Sequence, residues 1–180
     1  FGMGESHVEE KLRDIMTTMT NPTLAPYAKP GECMLRATAK APTAAQAEEL
    51  LAPMVQQVKD ILGDVVYGVD VSSLEEVVSA LLREKGLTLS AAESCTGGLI
   101  AKRITDLAGA SQIFRGGVVS YVNDVKAQVL GVPQETLDAY GAVSEPVARA
   151  MAEGCRKLCG SGIAVSVTGL AGPEGDDRGN

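Results

Sequence analysis

The apolar positions of the chain follow two periods, helical and strand-like, and they divide it into two blocks. In the first block Val8, Leu12, Ile15, Met16 and Met19 mark one face of a helix, with a capping box at Ser6–Glu9 before it. Asn21-Pro22 breaks that pattern. Leu24–Tyr27 and Cys33–Ala39 have strand character, with Pro30-Gly31 as a turn between them. A second helix is expected from Thr43, turning Leu50, Leu51, Val55, Val58, Ile61 and Leu62 toward a core, with Pro53 kinking or splitting it. Gly63 ends it, and Val65–Val69 is expected as a third strand.

Val71-Ser72-Ser73 separates the blocks. Ser73–Glu76 is another capping box, and Leu74, Val77, Val78, Leu81 and Leu82 form an apolar stripe that Gly86 stops. Beyond it the pattern predicts strand 87–92, helix 98–107, strand 117–122, helix 126–130, helix 145–158 and strand 163–167. That order predicts a layered α/β domain over residues 72–180, preceded by a small α+β unit over residues 1–70.

Composition narrows the function classes. The 16 basic and 23 acidic residues leave a net charge of −7, which disfavours a general nucleic-acid or membrane-surface role. No apolar run approaches the roughly 20 residues of a membrane span, and the N-terminus lacks the pattern of a signal peptide. Cys33, Cys95, Cys155 and Cys159 show no paired CxxC spacing, so neither a disulfide framework nor a metal site is expected, and the setting is expected to be a reducing cytoplasm. The first unit has no G-x-x-G clamp, so nothing in it reads as an RNA-binding site.

The chemistry concentrates in loops. L-T-L-S-A-A-E-S-C-T-G-G-L (Leu87–Leu99) reads as a buried strand, a glycine-assisted turn and a helix start. Such a turn exposes backbone N–H groups at the positive end of a helix dipole and suits an anion. The plainer reading is that Ser94 or Thr96 caps the helix and Gly97-Gly98 serve the turn. His7 is the only histidine and lies in the other block, so a serine nucleophile here needs another base, for which lysine is the usual substitute. A thiolate at Cys95 is the other nucleophile open to this turn. Tyr121 and Lys126 follow a glycine-entered strand, and Lys126 is either a solvated helix residue or a base tuned by burial. Ser144 stands at a helix N-cap, and Thr168-Gly169-Leu170-Ala171-Gly172 is a small-residue loop at a strand's C-terminal end, where open α/β sheets bind ligands.

A-E-S-C-T-G-G (Ala92–Gly98), Ser120-Tyr121 with Lys126, G-A-V-S (Gly141–Ser144) and T-G-L-A-G-P (Thr168–Pro173), in this order, resemble the CinA family. N-P-T-L-A-P-Y-A-K-P-G-E (Asn21–Glu32) and Val66-Tyr67-Gly68 are similar to that family's KH-like middle domain, and Gly2–Ser6 to its join with a further N-terminal domain. The resemblance implies a layered α/β amidohydrolase domain that deamidates nicotinamide mononucleotide to nicotinic acid mononucleotide and ammonia, with no cofactor. It implies Ser94 as nucleophile, Lys126 as base and Tyr121 as the group that relays or orients the proton. The substrate-binding set it implies is Glu93, Cys95, Thr96, Gly97 and Gly98 in the first loop, Gly117 and Ser144, and Thr168, Gly169, Ala171 and Gly172 in the last. The turn's N–H groups would serve either an oxyanion or the substrate phosphate. A homodimer is implied as well. The family's domain continues past the last loop to a substrate-binding arginine, a role that Arg178 is not expected to fill; on this resemblance the chain is expected to be truncated there. The alternative is a non-catalytic nucleotide-binding or assembly module.

Overall fold

The computed structural model describes residues 1–29 and 31–172. It divides into two compact units, Phe1–Asp70 and Val71–Asn180.

In the first unit, helix α1 (Glu5–Thr18) buries Val8, Leu12 and Ile15. The expected capping box at Ser6 does not form. Gly4 is the N-cap, its carbonyl takes the Val8 N–H at 3.1 Å, and Ser6 lies inside the helix. Strands β1 (Thr23–Lys29) and β2 (Glu32–Thr38) make an antiparallel hairpin with Thr23 opposite Thr38. The expected turn at Pro30 lies outside the described residues. Helix α2 (Ala44–Leu62) is capped by Thr43, whose hydroxyl accepts the Gln46 N–H, and it runs unbroken through Pro53. It buries Met54, Val58 and Leu62, whereas Leu50 and Ile61, expected in the core, are exposed. These three join Val8, Leu12, Ile15 and Leu24 in one cluster, so both helices cover one face of the hairpin. Val65–Val69 is not a strand. Gly63–Val65 is a 3-10 turn and the sheet stays two-stranded.

The second unit is the expected layered α/β fold. Helix α3 (Leu74–Glu84) is capped by Ser73, and it buries Leu82 while Leu81 stays exposed. Strand β3 (Leu89–Glu93) is central and wholly buried, with β4 (Phe114–Val119) and β5 (Ile163–Val167) parallel on either side. Strand β5 falls where the sequence put it, but β4 starts three residues earlier than expected, so Gly116 and Gly117 lie within it. Helix α4 (Leu99–Thr105) packs on one face. On the other lies α7 (Glu145–Cys159), backed by α5 (Asn123–Leu130) and α6 (Gln134–Tyr140), a helix the sequence pattern did not show.

Side chains alternate along β3. Leu89 faces α4 and packs with Leu82, Ile104 and Ile113. Ala92 faces the other way and packs with Leu130, Val147, Met151 and Cys155. This alternation carries past the end of the strand and decides where the polar residues point.

Candidate active site

The site stands at the C-terminal ends of the three parallel strands, where an open α/β sheet presents its loops. The ladder continues one step beyond β3: the Ser94 N–H donates to Val167 O at 2.9 Å, and the Ser120 N–H donates to Glu93 O at 2.7 Å. By strand alternation Glu93 points to the α4 side, and Ser94 returns to the side of α5 and α7.

Glu93 is 1% exposed, and its carboxylate reaches the first turn of α4. Oε2 accepts the N–H groups of Gly98 at 3.1 Å and Ile100 at 2.9 Å, and Oε1 accepts that of Ala101 at 2.8 Å. Burial alone would raise its pKa. The Ala101, Ile100 and Gly98 amides outweigh that and hold it below the usual carboxylate range. The helix cap is therefore neither Ser94 nor Thr96. Gly98, with φ 105°, is the N-cap residue, and a side chain from the preceding strand satisfies the orphan amides. This corrects the expectation that Gly98 and the helix start are open to a ligand, and it makes Glu93 an internal anion rather than a substrate contact. The Gly97 N–H is also taken, by Ser94 O at 3.1 Å. In this turn the N–H groups of Cys95 and Thr96 have no acceptor among the described residues.

Lys126 sits in the first turn of α5, aimed back at the strand ends. It is 1% exposed. Nζ lies 3.1 Å from Ser94 Oγ, 2.8 Å from Ser120 O and 3.2 Å from Tyr121 O. It has no ion-pair partner among the described residues. Desolvation pushes its pKa down from the ordinary lysine value, and negative charge at Cys95 would act the other way. A neutral amine has two N–H groups and one lone pair. In the structure Nζ donates to all three oxygens; once the amine loses a proton, the two carbonyls can keep its N–H groups and its lone pair can face the Ser94 hydroxyl.

Tyr121 meets Lys126 through its backbone. Its side chain is 62% exposed and makes no hydrogen bond among the described residues. Gly117 is corrected too. It pairs with Ala91 inside the sheet, and a Cβ there would stand 2.9 Å from Ala91 O, so its role is close strand packing. Ser144 is the N-cap residue of α7, but its hydroxyl donates to Gly141 O at 2.9 Å and caps nothing. The Thr168 hydroxyl donates to Ala142 O at 2.7 Å and ties the last loop to the 141–144 loop. Gly169 lies against Cys95, where a Cβ would come within 3.1 Å of Sγ. Ala171 and Gly172 are exposed, and Pro173 and Arg178 fall outside the described residues.

The structure thus brings together Ser94, Lys126, the carbonyls of Ser120 and Tyr121, and the Cys95–Thr96 amides, with Gly169 and Thr168 beside them. Sequence reasoning gave Ser120 no role of its own. Strand alternation puts it on the same side as Ser94, and that parity was the available signal. Among the described residues no group of three or more His, Cys, Asp or Glu side chains is arranged to hold a metal, and no helix is long and apolar enough to cross a membrane.

Residues 71–180 match the family model of the CinA C-terminal domain, and residues 1–68 match that of the damage-inducible protein CinA KH domain. A CinA-like protein of Dictyoglomus turgidum is 51% identical over 174 residues, covering 97% of this chain and 42% of the relative. A putative competence-damage inducible protein of Bacillus subtilis is 49% identical over 177 residues, covering 98% of this chain and 42% of the relative. The chain therefore spans under half the length of these relatives. Among solved structures, the competence damage-inducible protein A of Klebsiella pneumoniae superposes with a TM-score of 0.58 at 40% identity, covering 59% of this chain and 66% of that one. The competence/damage inducible protein CihA of Agrobacterium tumefaciens does so with a TM-score of 0.52 at 43% identity, covering 60% and 67%. With both of its units matched in order and its site motifs set at the ends of one parallel sheet, the chain belongs to the CinA family.

Proposed function

We propose that the larger unit hydrolyses the carboxamide of nicotinamide mononucleotide, giving nicotinic acid mononucleotide and ammonia through an acyl-enzyme on Ser94. The observation that supports this most is a buried lysine with no ion-pair partner among the described residues, 3.1 Å from a serine hydroxyl. Burying such a lysine costs stability, and it suits a base that must be neutral near neutral pH. The choice of substrate rests on the family motifs around Ser94, Lys126 and Thr168.

In this reading Lys126 takes the Ser94 proton as Oγ attacks the carboxamide carbon. The tetrahedral oxyanion forms beside the Cys95 and Thr96 amides. An N–H from the residue after the nucleophile is a recurrent oxyanion donor on strand–turn–helix elbows. Ammonia leaves, water attacks the acyl group with Lys126 again as base, and Ser94 is regenerated. No step calls on a metal or cofactor. Glu93 keeps the turn rigid, and α4's dipole and amides absorb its charge, so it does not oppose the neutral state of Lys126.

Ammonia release from nicotinamide mononucleotide tests the proposal. Ser94→Ala and Lys126→Met should each abolish it with the fold intact, as read by circular dichroism. Nucleotide binding without turnover in the wild-type protein would favour the binding-module reading instead.

A further inference from the structure

Three hydrogen-bond donors of consecutive residues, 94 to 96, have no acceptor among the described residues. Lys126 Nζ donates to Ser94 Oγ at 3.1 Å and to the carbonyls of Ser120 and Tyr121 at 2.8 and 3.2 Å, which places all three N–H groups of an ammonium. Ser94 Oγ therefore accepts, and its own proton is left over. The N–H groups of Cys95 and Thr96 are left over with it. The helix start beyond them does not belong to this set, since Glu93 occupies the amides of Gly98, Ile100 and Ala101. Ser94 is 5% exposed, and Cys95, Thr96, Thr168 and Gly169 beside it are half-buried, so the donors are reachable from solvent. Around Lys126, the Cys95 thiol is the titratable group that acts on its charge. Glu93 lies on the other side of β3, Asp124 and the Tyr121 phenol are exposed, and on α7 Glu145 pairs with Arg149 and the buried Cys155 thiol lies against Cys159. Donors without acceptors beside a cation are complementary to an anion, and a carboxylate has the lone pairs to take all three.

We infer that the site changes ligand with one proton: a neutral Lys126 takes a carboxamide, a charged Lys126 takes a pyridine carboxylate, and the reaction's own product, nicotinic acid mononucleotide, is thereby held as an inhibitory complex. The inference rests on the amidase reading above. In the neutral state the Ser94 hydroxyl donates to the amine lone pair, and the two elbow amides serve the carboxamide oxygen. Protonation of Nζ reverses that hydrogen bond. Oγ becomes an acceptor, and its O–H joins the two amides as a third donor beside a positive charge. The chemistry itself delivers this state. In deacylation Lys126 takes a proton from water and returns it to the departing Ser94 oxygen, which leaves a carboxylic acid beside a neutral amine. A carboxyl group is a far stronger acid than an ammonium, so its proton passes to Nζ and the O–H electron pair stays on the carboxylate. The site resets when the carboxylate leaves and Lys126 gives its proton to water. Burial lowers the Lys126 pKa, so the empty site is neutral over part of the range in which a free lysine is charged. In that range product binds only together with a proton.

Calorimetric titration of the wild-type protein with nicotinic acid mononucleotide tests this, in two buffers of different ionisation enthalpy. It runs from about pH 7 to about pH 10, above the second titration of the product's phosphate. At the alkaline end the dissociation constant is expected to rise about tenfold per pH unit, with one proton taken up per product bound. KM for nicotinamide mononucleotide is expected not to rise over the same range. Lys126→Met is expected to bind product about a hundredfold more weakly near pH 7, the scale of a charge-assisted contact, and without proton uptake. The proton count is read on the wild-type protein, so the test stands if the variant fails to fold. A dissociation constant flat in pH, binding without proton uptake, or a Lys126→Met variant that binds product as tightly as wild type overturns the inference and leaves the amidase reading intact. A wild-type protein that releases no ammonia from nicotinamide mononucleotide overturns the amidase reading and this inference with it.

Discussion

Gly154 of α7 runs so close to the end of α5 that a Cβ on it would stand 1.8 Å from the Leu130 carbonyl oxygen. Leu130 is the last residue of the helix that carries Lys126. The contact sets the depth at which α5 lies and with it the reach of the lysine. Gly154→Ala forces the two helices apart. It is expected to cost about 1–3 kcal/mol in a urea unfolding titration, as overpacking does, and to lower turnover by more than the lost stability explains.

Glu93 makes a second prediction, with a sign in pH. Glu93→Gln replaces one acceptor oxygen by an NH2 that faces an N–H group of α4. The expected loss is about 2 kcal/mol at neutral pH, the scale of charge-assisted hydrogen bonds. The folded carboxyl titrates below its unfolded value of about 4.3, so its stabilisation is complete above that value and lost as pH falls through the lower folded value. Unfolding free energies of wild type and Glu93→Gln, measured from neutral to acid pH, should converge at the acid end.

Lys126 works in the opposite direction. Its folded pKa lies below the ordinary lysine value, so the unfolded chain binds more protons between the folded value and about 10.4. The destabilisation is full below the folded pKa and fades as pH rises through that window. Lys126→Met, which keeps the volume and removes the charge, should therefore be inactive yet more stable than wild type. The stability difference is expected to shrink toward alkaline pH. The wild-type rate should rise with pH through a value below that of a free lysine.

The two loops beside Ser94 are joined by one hydroxyl. Thr168→Val leaves the Ala142 carbonyl without its 2.7 Å partner. A stability loss of about 1–2 kcal/mol is expected. A raised KM with a smaller change in kcat is also expected in ammonia-release assays, because the loops meet beside the nucleophile rather than at it.

Much of the fold was legible where one physical signal acted alone. Ile163–Val167 is an apolar run between glycine-containing turns, and the strand falls there to the residue. The second unit's alternation of periods gave its layers. Competing signals caused the misses. Gly116 and Gly117 looked like the entry to a strand, yet Gly117 is needed inside it because Ala91 O leaves no room for a Cβ. α6 buries only Leu137, too little to stand out as a stripe. Val65–Val69 had strand composition but pairs with neither strand of the hairpin. At the site, the residue types at 94 and 126 were readable and the family resemblance paired them as nucleophile and base, but the local pattern alone did not bring them together, since their meeting depends on how α5 packs. Glu93 caps amides five, seven and eight positions ahead, a reach that no capping-box spacing describes. The turn therefore looked open to an anion that the chain already supplies.

The central claim is that Ser94 carries the acyl group. The measurement that tests it most directly is peptide mass spectrometry on protein quenched with acid during turnover of nicotinamide mononucleotide. The account predicts an adduct of the substrate less ammonia on the peptide containing Ser94, localised to its hydroxyl and absent in Ser94→Ala. An adduct on Cys95, or steady ammonia release with no adduct on any residue, would contradict it.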